Sequence, residues 1–238
     1  MRTGLLKRIF VNGIVDKGIF VLEDPEITNR LLNVLRLRTN DEIILFNQEQ
    51  KEWKAKIIDL HKKRITFETT PALAKSEEND ITITLAFSPI KQERMRFLIE
   101  KCTEIGIKEF VPLIFDRTIV RDFNREKLKD YVIGACEQSG RVSIPKIAQT
   151  ISLSEFLIKF QDAEIIFCNE KESDFLINKV TMKEKQIIVI GPEGGVTDQE
   201  RKLFETTKNV TSVSLGRNIL RAETAAIFSV SYLAALQI

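Results

Sequence analysis

Four consecutive apolar residues, Ile187, Ile188, Val189 and Ile190, run without alternation straight into Gly191-Pro192-Glu193-Gly194-Gly195. A strand with one wet face alternates polar and apolar residues, so this unbroken run predicts a strand covered on both faces, as in a parallel sheet. The two adjacent glycines allow positive φ and let a ligand or a second backbone segment approach without a Cβ in the way. Thr197 and Glu200 then stand at capping-box spacing, so a helix begins where the loop ends. A second unit repeats the plan: residues 210–215 read as a strand, Gly216 turns, and residues 222–236 read as a helix. Two loops therefore leave one edge of one sheet, beyond the carboxyl ends of its strands, where open α/β sheets bind ligands.

The loops exclude one class of ligand. A phosphate site at a helix start would carry Gly-x-Gly-x-x-Gly, or a Lys-Ser/Thr after the glycines, and neither is present. Glu193 and Asp198 stand where a phosphate would lie, and carboxylates there repel an anion. The pattern fits a ligand without phosphates, or a tight strand-to-helix connection.

Upstream, the texture of the 238-residue chain changes once. Short β-like runs at 8–11, 18–22, 42–46, 53–60 and 64–69 are separated by turn signals such as Asn12-Gly13 and Thr39-Asn40-Asp41. One helix is expected among them, from Asp24-Pro25 through Leu31, Leu32 and Leu35 to Arg36. Residues 70–80 are poor in large apolar side chains and end in an acidic cluster, as a linker does. After it, strands at 81–87, 109–115 and 163–168 alternate with helices at 92–105 and 125–138 and a weaker one at 173–180, with Gly106 as a C-cap. Such alternation predicts a parallel sheet with helices on both faces. The expected division is a β-rich domain over residues 1–72 and an α/β domain over 73–238.

Charge is uneven along the chain. Residues 1–72 hold 13 Lys+Arg against 10 Asp+Glu, leaving 23 against 24 for the remainder, so the β-rich part is the basic part. An anionic partner or a solvated charged surface accounts for that difference. The three cysteines, Cys102, Cys136 and Cys168, are an odd number without metal-ligand or CxxC spacing, which predicts no zinc site and a reducing compartment. The single histidine, His61, stands beside Lys62 and Lys63, as an exposed residue does, so a His-activated nucleophile has little to work with. No basic-then-apolar leader is visible, and the C-terminal apolar stretch is interrupted by Ser229, Ser231 and Tyr232. A cytoplasmic protein that does not span a membrane is expected.

The stretch Leu215-Gly216-Arg217-Asn218-Ile219-Leu220-Arg221-Ala222-Glu223-Thr224-Ala225, with Ile190 to Gly195 before it, resembles the C-terminal signature of the RsmE family of SPOUT-class methyltransferases. The similarity extends to Lys91, Arg94, Glu100, Lys101, Thr103, Glu104, Gly106 and Pro112, to Ala135 through Arg141, and to Arg8, Phe10, Val34-Leu35-Arg36 and Asp41. Two positions depart from the family pattern: Asn218 stands where an Arg is usual, and Arg30 where a His is common.

The resemblance implies a PUA-like β-barrel followed by an α/β domain with a parallel sheet. It also implies a C-terminal trefoil knot around residues 187–228, which general topology rules would argue against. It implies a homodimer that methylates N3 of a uridine in 16S ribosomal RNA of the small subunit, with S-adenosylmethionine as donor and no metal. Carried over to this chain, the donor would be held by Asn169, Gly191, Gly194, Gly195, Leu215, Gly216, Ile219 and Leu220. Arg221 is the expected cation beside the uracil. Glu193 is the expected proton acceptor, or else a loop-shaping hydrogen-bond partner. Arg8, Arg36 and Arg38 would bind RNA. A relative acting on another RNA such as transfer RNA, or a non-catalytic RNA-binding or assembly protein, shares most of these features.

Overall fold

A computed structural model of the chain describes residues 6–13, 15–71, 82–172, 176–181 and 185–237. The chain divides into two compact units, Met1–Glu78 with Cys136–Ile144, and Asn79–Ala135 with Pro145–Ile238. The linker read at 70–80 lies, from residue 72 on, outside the described residues.

In the first unit β1 (Lys7–Phe10), β2 (Gly18–Leu22), β3 (Glu42–Phe46), β4 (Glu52–His61) and β5 (Arg64–Pro71) form a mixed sheet of order β1-β3-β4-β5-β2. Only β1 and β3 pair in parallel. The period of two is clear in β4, where Trp53, Ala55 and Ile57 are buried while Lys54, Lys56 and Ile58 face out. These side chains join Ile9, Ile43, Leu45, Ile65 and Phe67 in one apolar cluster.

The helix of this unit differs from the expected one. Asp24 caps α1 (Pro25–Asn29) by accepting from the amides of Glu26 and Ile27, both at 2.9 Å, with Pro25 at the first helical position. The chain then widens into a π-turn over Arg30–Val34, closed by Leu35 N donating to Arg30 O at 2.9 Å, and Arg36 adopts φ 52°. A π-turn adds a residue per hydrogen-bonded ring, so the apolar period of an α-helix slips. Leu31 is buried, but Val34 is 68% exposed.

The second unit is a parallel sheet of order β12-β10-β11-β6-β7-β8. Its elements are β6 (Ile83–Phe87), α2 (Gln92–Ile105), β7 (Glu109–Ile114), α3 (Arg125–Ser139), β8 (Lys146–Ile147), β9 (Ile151–Ser152) and α4 (Leu153–Lys159). They continue with β10 (Glu164–Cys168), β11 (Gln186–Ile190), α5 (Asp198–Thr206), β12 (Val210–Val213) and α6 (Ala222–Ala235). Every residue of β6 and β11 is buried, which is what unbroken apolar runs demand. Phe204 of α5 stacks on Phe167 of β10 with ring centroids 4.2 Å apart, and burying such a ring contributes about 1.5–3 kcal/mol. α6 returns to pack on α2, β6 and β11.

Gly106 closes α2 at φ 118°, and the capping box at Thr197 and Glu200 opens α5, both as expected. The segment β8–β9–α4 adds to the expected alternation, with α4 opened by Ser152 and Glu155, a second capping box that the sequence displays. In place of the weak helix at 173–180 there is a single 3₁₀ turn, Ile177–Lys179, with 173–175 outside the described residues.

Candidate active site

The carboxyl ends of β10 and β11 and the loop after β12 enclose a cavity of about 360 Å³ within the second unit. That size lies at the small end of the range for ligand pockets. Asn169, Gly191, Gly195, Leu215, Gly216, Ile219, Leu220, Glu193 and Arg221 all line it. Gly194 does not. A Cβ on Gly194 would meet Arg117 Cβ at 3.3 Å, so that glycine makes room for the loop after β7, not for the cavity.

Two other glycines shape the wall. A Cβ at Gly191 would lie 2.7 Å from Val196 Cγ2, well inside van der Waals contact, so the loop can fold back on itself only without that side chain. Gly195 sits at φ +74° and closes a turn by donating to Pro192 O at 2.9 Å. The Glu170 carboxylate faces Gly195, 3.1 Å from where its Cβ would be.

Sequence reading missed Arg201, a buried arginine in the cavity wall. Its guanidinium donates to Asn169 Oδ1 and, at 3.1 Å, to Val196 O, so α5 ties the end of β10 to the glycine loop. Asn169 Oδ1 also accepts from Lys171 N at 3.0 Å, and its Nδ2 donates to Ser212 Oγ at 3.0 Å. With Oδ1 doubly engaged, this side chain braces the cavity wall. Burial pushes the Cys168 thiol in the cavity wall up to about 12, only partly offset by the Ser229 hydroxyl at 3.4 Å, which disfavours the thiolate.

The charged groups at the rim divide into committed and free. Glu193 pairs with Arg94 of α2. Arg221 is exposed at the N-cap of α6, and among the described residues its guanidinium has no partner. Arg217 and Asn218 line the cavity beside it, also exposed.

Of the three arginines expected to meet RNA, Arg8 is committed inside the first unit. It pairs with Glu52, stands 4.9 Å over the Phe46 ring and donates to Arg141 O at 3.4 Å, with 11% of its side chain exposed. The same unit uses Glu137, which accepts from Phe10 N at 2.9 Å and pairs with Arg30 at 2.6 Å. Arg36 and Arg38 are exposed.

The profile of the RNA methyltransferase domain family matches residues 77–234, and that of the RNA methyltransferase PUA domain matches residues 24–70. The ribosomal RNA small subunit methyltransferase E of Rickettsia conorii is 34% identical over 229 residues, 94% of this chain and 93% of that protein. This chain belongs to the RsmE family of RNA methyltransferases. The RsmE of Neisseria gonorrhoeae, solved bound to S-adenosyl methionine, superimposes with a TM-score of 0.88 at 31% identity over 97% of this chain and 98% of that one. A methyltransferase from Legionella pneumophila, solved with bound cofactor SAM, gives 0.87 at 31% identity over the same shares. The PUA-like and SPOUT α/β architecture implied by the RsmE signature is therefore the observed one. Among the described residues no helix is long and apolar enough to cross a membrane, and no group of side chains is set to hold a metal.

Proposed function

We propose that this chain transfers a methyl group from S-adenosylmethionine to N3 of a uridine in 16S ribosomal RNA, in the cytoplasm and as a homodimer. The observation that carries the reading is Arg221, a guanidinium without a partner among the described residues, at the rim of a cavity whose wall suits this donor. With Glu193 paired to Arg94, the Glu170 carboxylate facing Gly195 is the acidic group in that wall suited to a cationic donor. The contact of Gly191 with Val196 and the positive φ of Gly195 keep the loop that lines the cavity tightly folded.

S-adenosylmethionine supplies an electrophilic methyl on a sulfonium, and the acceptor nitrogen must lose its proton as it attacks. The protein's first contribution is alignment, since holding two reactants in line removes much of the entropic barrier. Its second is charge: Arg221 sits where it can stabilise negative charge developing on a uracil carbonyl. Glu193 is held by Arg94, so its part is to shape the loop, and proton acceptance by it requires that the ion pair loosen when substrate enters.

The N-terminal unit, with Arg36 and Arg38 exposed, serves as the RNA handle. Threading of residues 187–228 into a knot is supported by the path of the chain, which runs from central β11 out to edge strand β12 and back over β6 and β11 as α6. Phe228 of α6 and Ile219 ahead of it, 43% and 84% exposed, support a subunit contact. The decisive experiment incubates the protein and labelled donor with small subunits lacking the modification and maps the methylated base. Label in N3 of one uridine supports the proposal; label only in transfer RNA, or none at all, refutes it.

A further inference from the structure

The loop after β7, Phe115 to Arg121, is held unusually firmly for a segment whose tips point outward. Thr118 Oγ1 accepts from Phe115 N at 2.8 Å and bonds Ser88 Oγ at 2.9 Å, just beyond β6. Asp116 N donates to Glu200 Oε1 at 2.8 Å, so the capping carboxylate of α5 also anchors this loop. Arg121 Nη2 closes it by donating to Phe115 O at 3.2 Å and Asp116 O at 3.0 Å. Yet what the loop displays is Arg117, exposed, and Ile119, 71% exposed. A folded chain gains nothing from fixing an isoleucine in water.

Arg117 also touches the donor loop. Its Nη1 donates to Gly194 O at 3.2 Å, and a Cβ on Gly194 would crowd Arg117 Cβ at 3.3 Å. Its remaining guanidinium hydrogens have no partner among the described residues. One residue earlier, Glu193 is neutralised by Arg94. Two guanidiniums, Arg94 and Arg117, therefore reach the glycine loop, with Glu193 paired to Arg94 and the Asp198 carboxylate within electrostatic range of Arg117.

We propose that this loop is the phosphodiester-binding element of the catalytic unit. Arg117, with Arg121 four residues on in the same loop, grips the RNA backbone next to the target nucleotide, while Ile119 packs on a neighbouring base. The inference rests on the RNA methyltransferase reading above and adds a contact surface on the unit that holds the donor. A planar guanidinium with free donors matches phosphate oxygens in a way an ammonium cannot. A protein partner would need a contiguous apolar core, whereas this loop offers Ile119 and the half-buried Val120 between Arg117 and Arg121. Because Arg117 holds Gly194 O and a phosphate at once, RNA binding and donor binding are coupled, and coupling of affinities is reciprocal.

The test uses the full chain and small-subunit ribosomal RNA, measuring affinity across a salt series for the parent, Arg117→Ala, Arg117→Lys and, as an equal-charge control, Lys202→Ala on exposed α5 surface. One lost phosphate contact lowers the slope of log affinity against log salt by about 0.7–0.9. That drop is expected for Arg117→Ala only. Arg117→Lys should recover the slope but lose the tightening of donor binding by RNA. Ile119→Asp should weaken RNA binding about tenfold at unchanged mass by light scattering. An unchanged slope in Arg117→Ala, or an equal loss in Lys202→Ala, overturns the proposal while the parent's binding leaves the RNA reading standing. A parent that binds no RNA overturns both. A halved mass for Ile119→Asp would assign that residue to a subunit contact and remove it from the RNA surface.

Discussion

Gly191→Ala places a methyl carbon 2.7 Å from Val196 Cγ2, where carbon atoms rest at about 3.5–4.0 Å. Something must move by close to an ångström. Val196 is 8% exposed and packed in the cluster of Phe167, Val189 and Phe204, so the relief has to come from the loop itself. Overpacking of this kind costs about 1–3 kcal/mol. Because the displaced segment is the cavity wall, donor affinity should fall along with stability. Val196→Ala alone removes two methyl groups, a loss of about 1.6 kcal/mol at ~0.8 kcal/mol per buried carbon. In the double variant the new methyl enters the space that Val196 vacates, so the two losses should not add. A coupling of about 1–3 kcal/mol in the restoring direction is expected for groups in direct contact. Urea unfolding and calorimetric titration with S-adenosylmethionine measure both sides of the cycle. If the losses add within about 0.5 kcal/mol, or if donor affinity stays at the parent value in Gly191→Ala, the close approach does not shape the site and the reasoning fails.

Four further outcomes are expected. Arg221→Lys should lower kcat and kcat/KM together, by roughly a hundredfold as for loss of one oriented donor, with donor affinity and unfolding midpoint unchanged because the guanidinium has no partner among the described residues; a fall in stability instead would make it a structural tie. Arg94→Ala and Glu193→Gln should weaken donor binding alike if the pair shapes the loop, whereas a kcat loss confined to Glu193→Gln would make that carboxylate the proton acceptor. Arg8→Ala should destabilise the protein by about 3–5 kcal/mol, since it strands Glu52, while Arg36→Ala and Arg38→Ala should leave unfolding unchanged and flatten the salt dependence of RNA binding. The Cys168 thiol, raised from 9.0 to about 12 in the fold, contributes stability that is complete below pH 9 and is lost as pH rises toward 12, because the unfolded chain ionises first; Cys168→Ala should reduce that alkaline decline in urea unfolding, and an unaltered profile would refute the assignment.

Much of the scaffold follows from local chemistry alone. The apolar run 187–190, the capping box at Thr197 and Glu200 and the C-cap at Gly106 each depend on neighbours within a few residues, so the sequence determined them, as it did the strands of the first unit. The cavity's glycine loop and the residues 215–221 were visible for the same reason, and the RsmE signature named the family. What only the tertiary structure decided are relations between distant residues. Arg8 reads as a surface cation until Glu52 and Phe46 are seen to enclose it, and Arg36 as helical until the π-turn throws it to positive φ. Gly194 reads as a ligand contact, but Arg117, 77 residues earlier, is what needs its missing side chain. Arg201 reads as one more charge on α5 until Asn169, 32 residues away, accepts from it. A side chain's role depends on which partner desolvates or pairs with it, and long-range partners are set by how strands and helices stack, not by spacing along the chain.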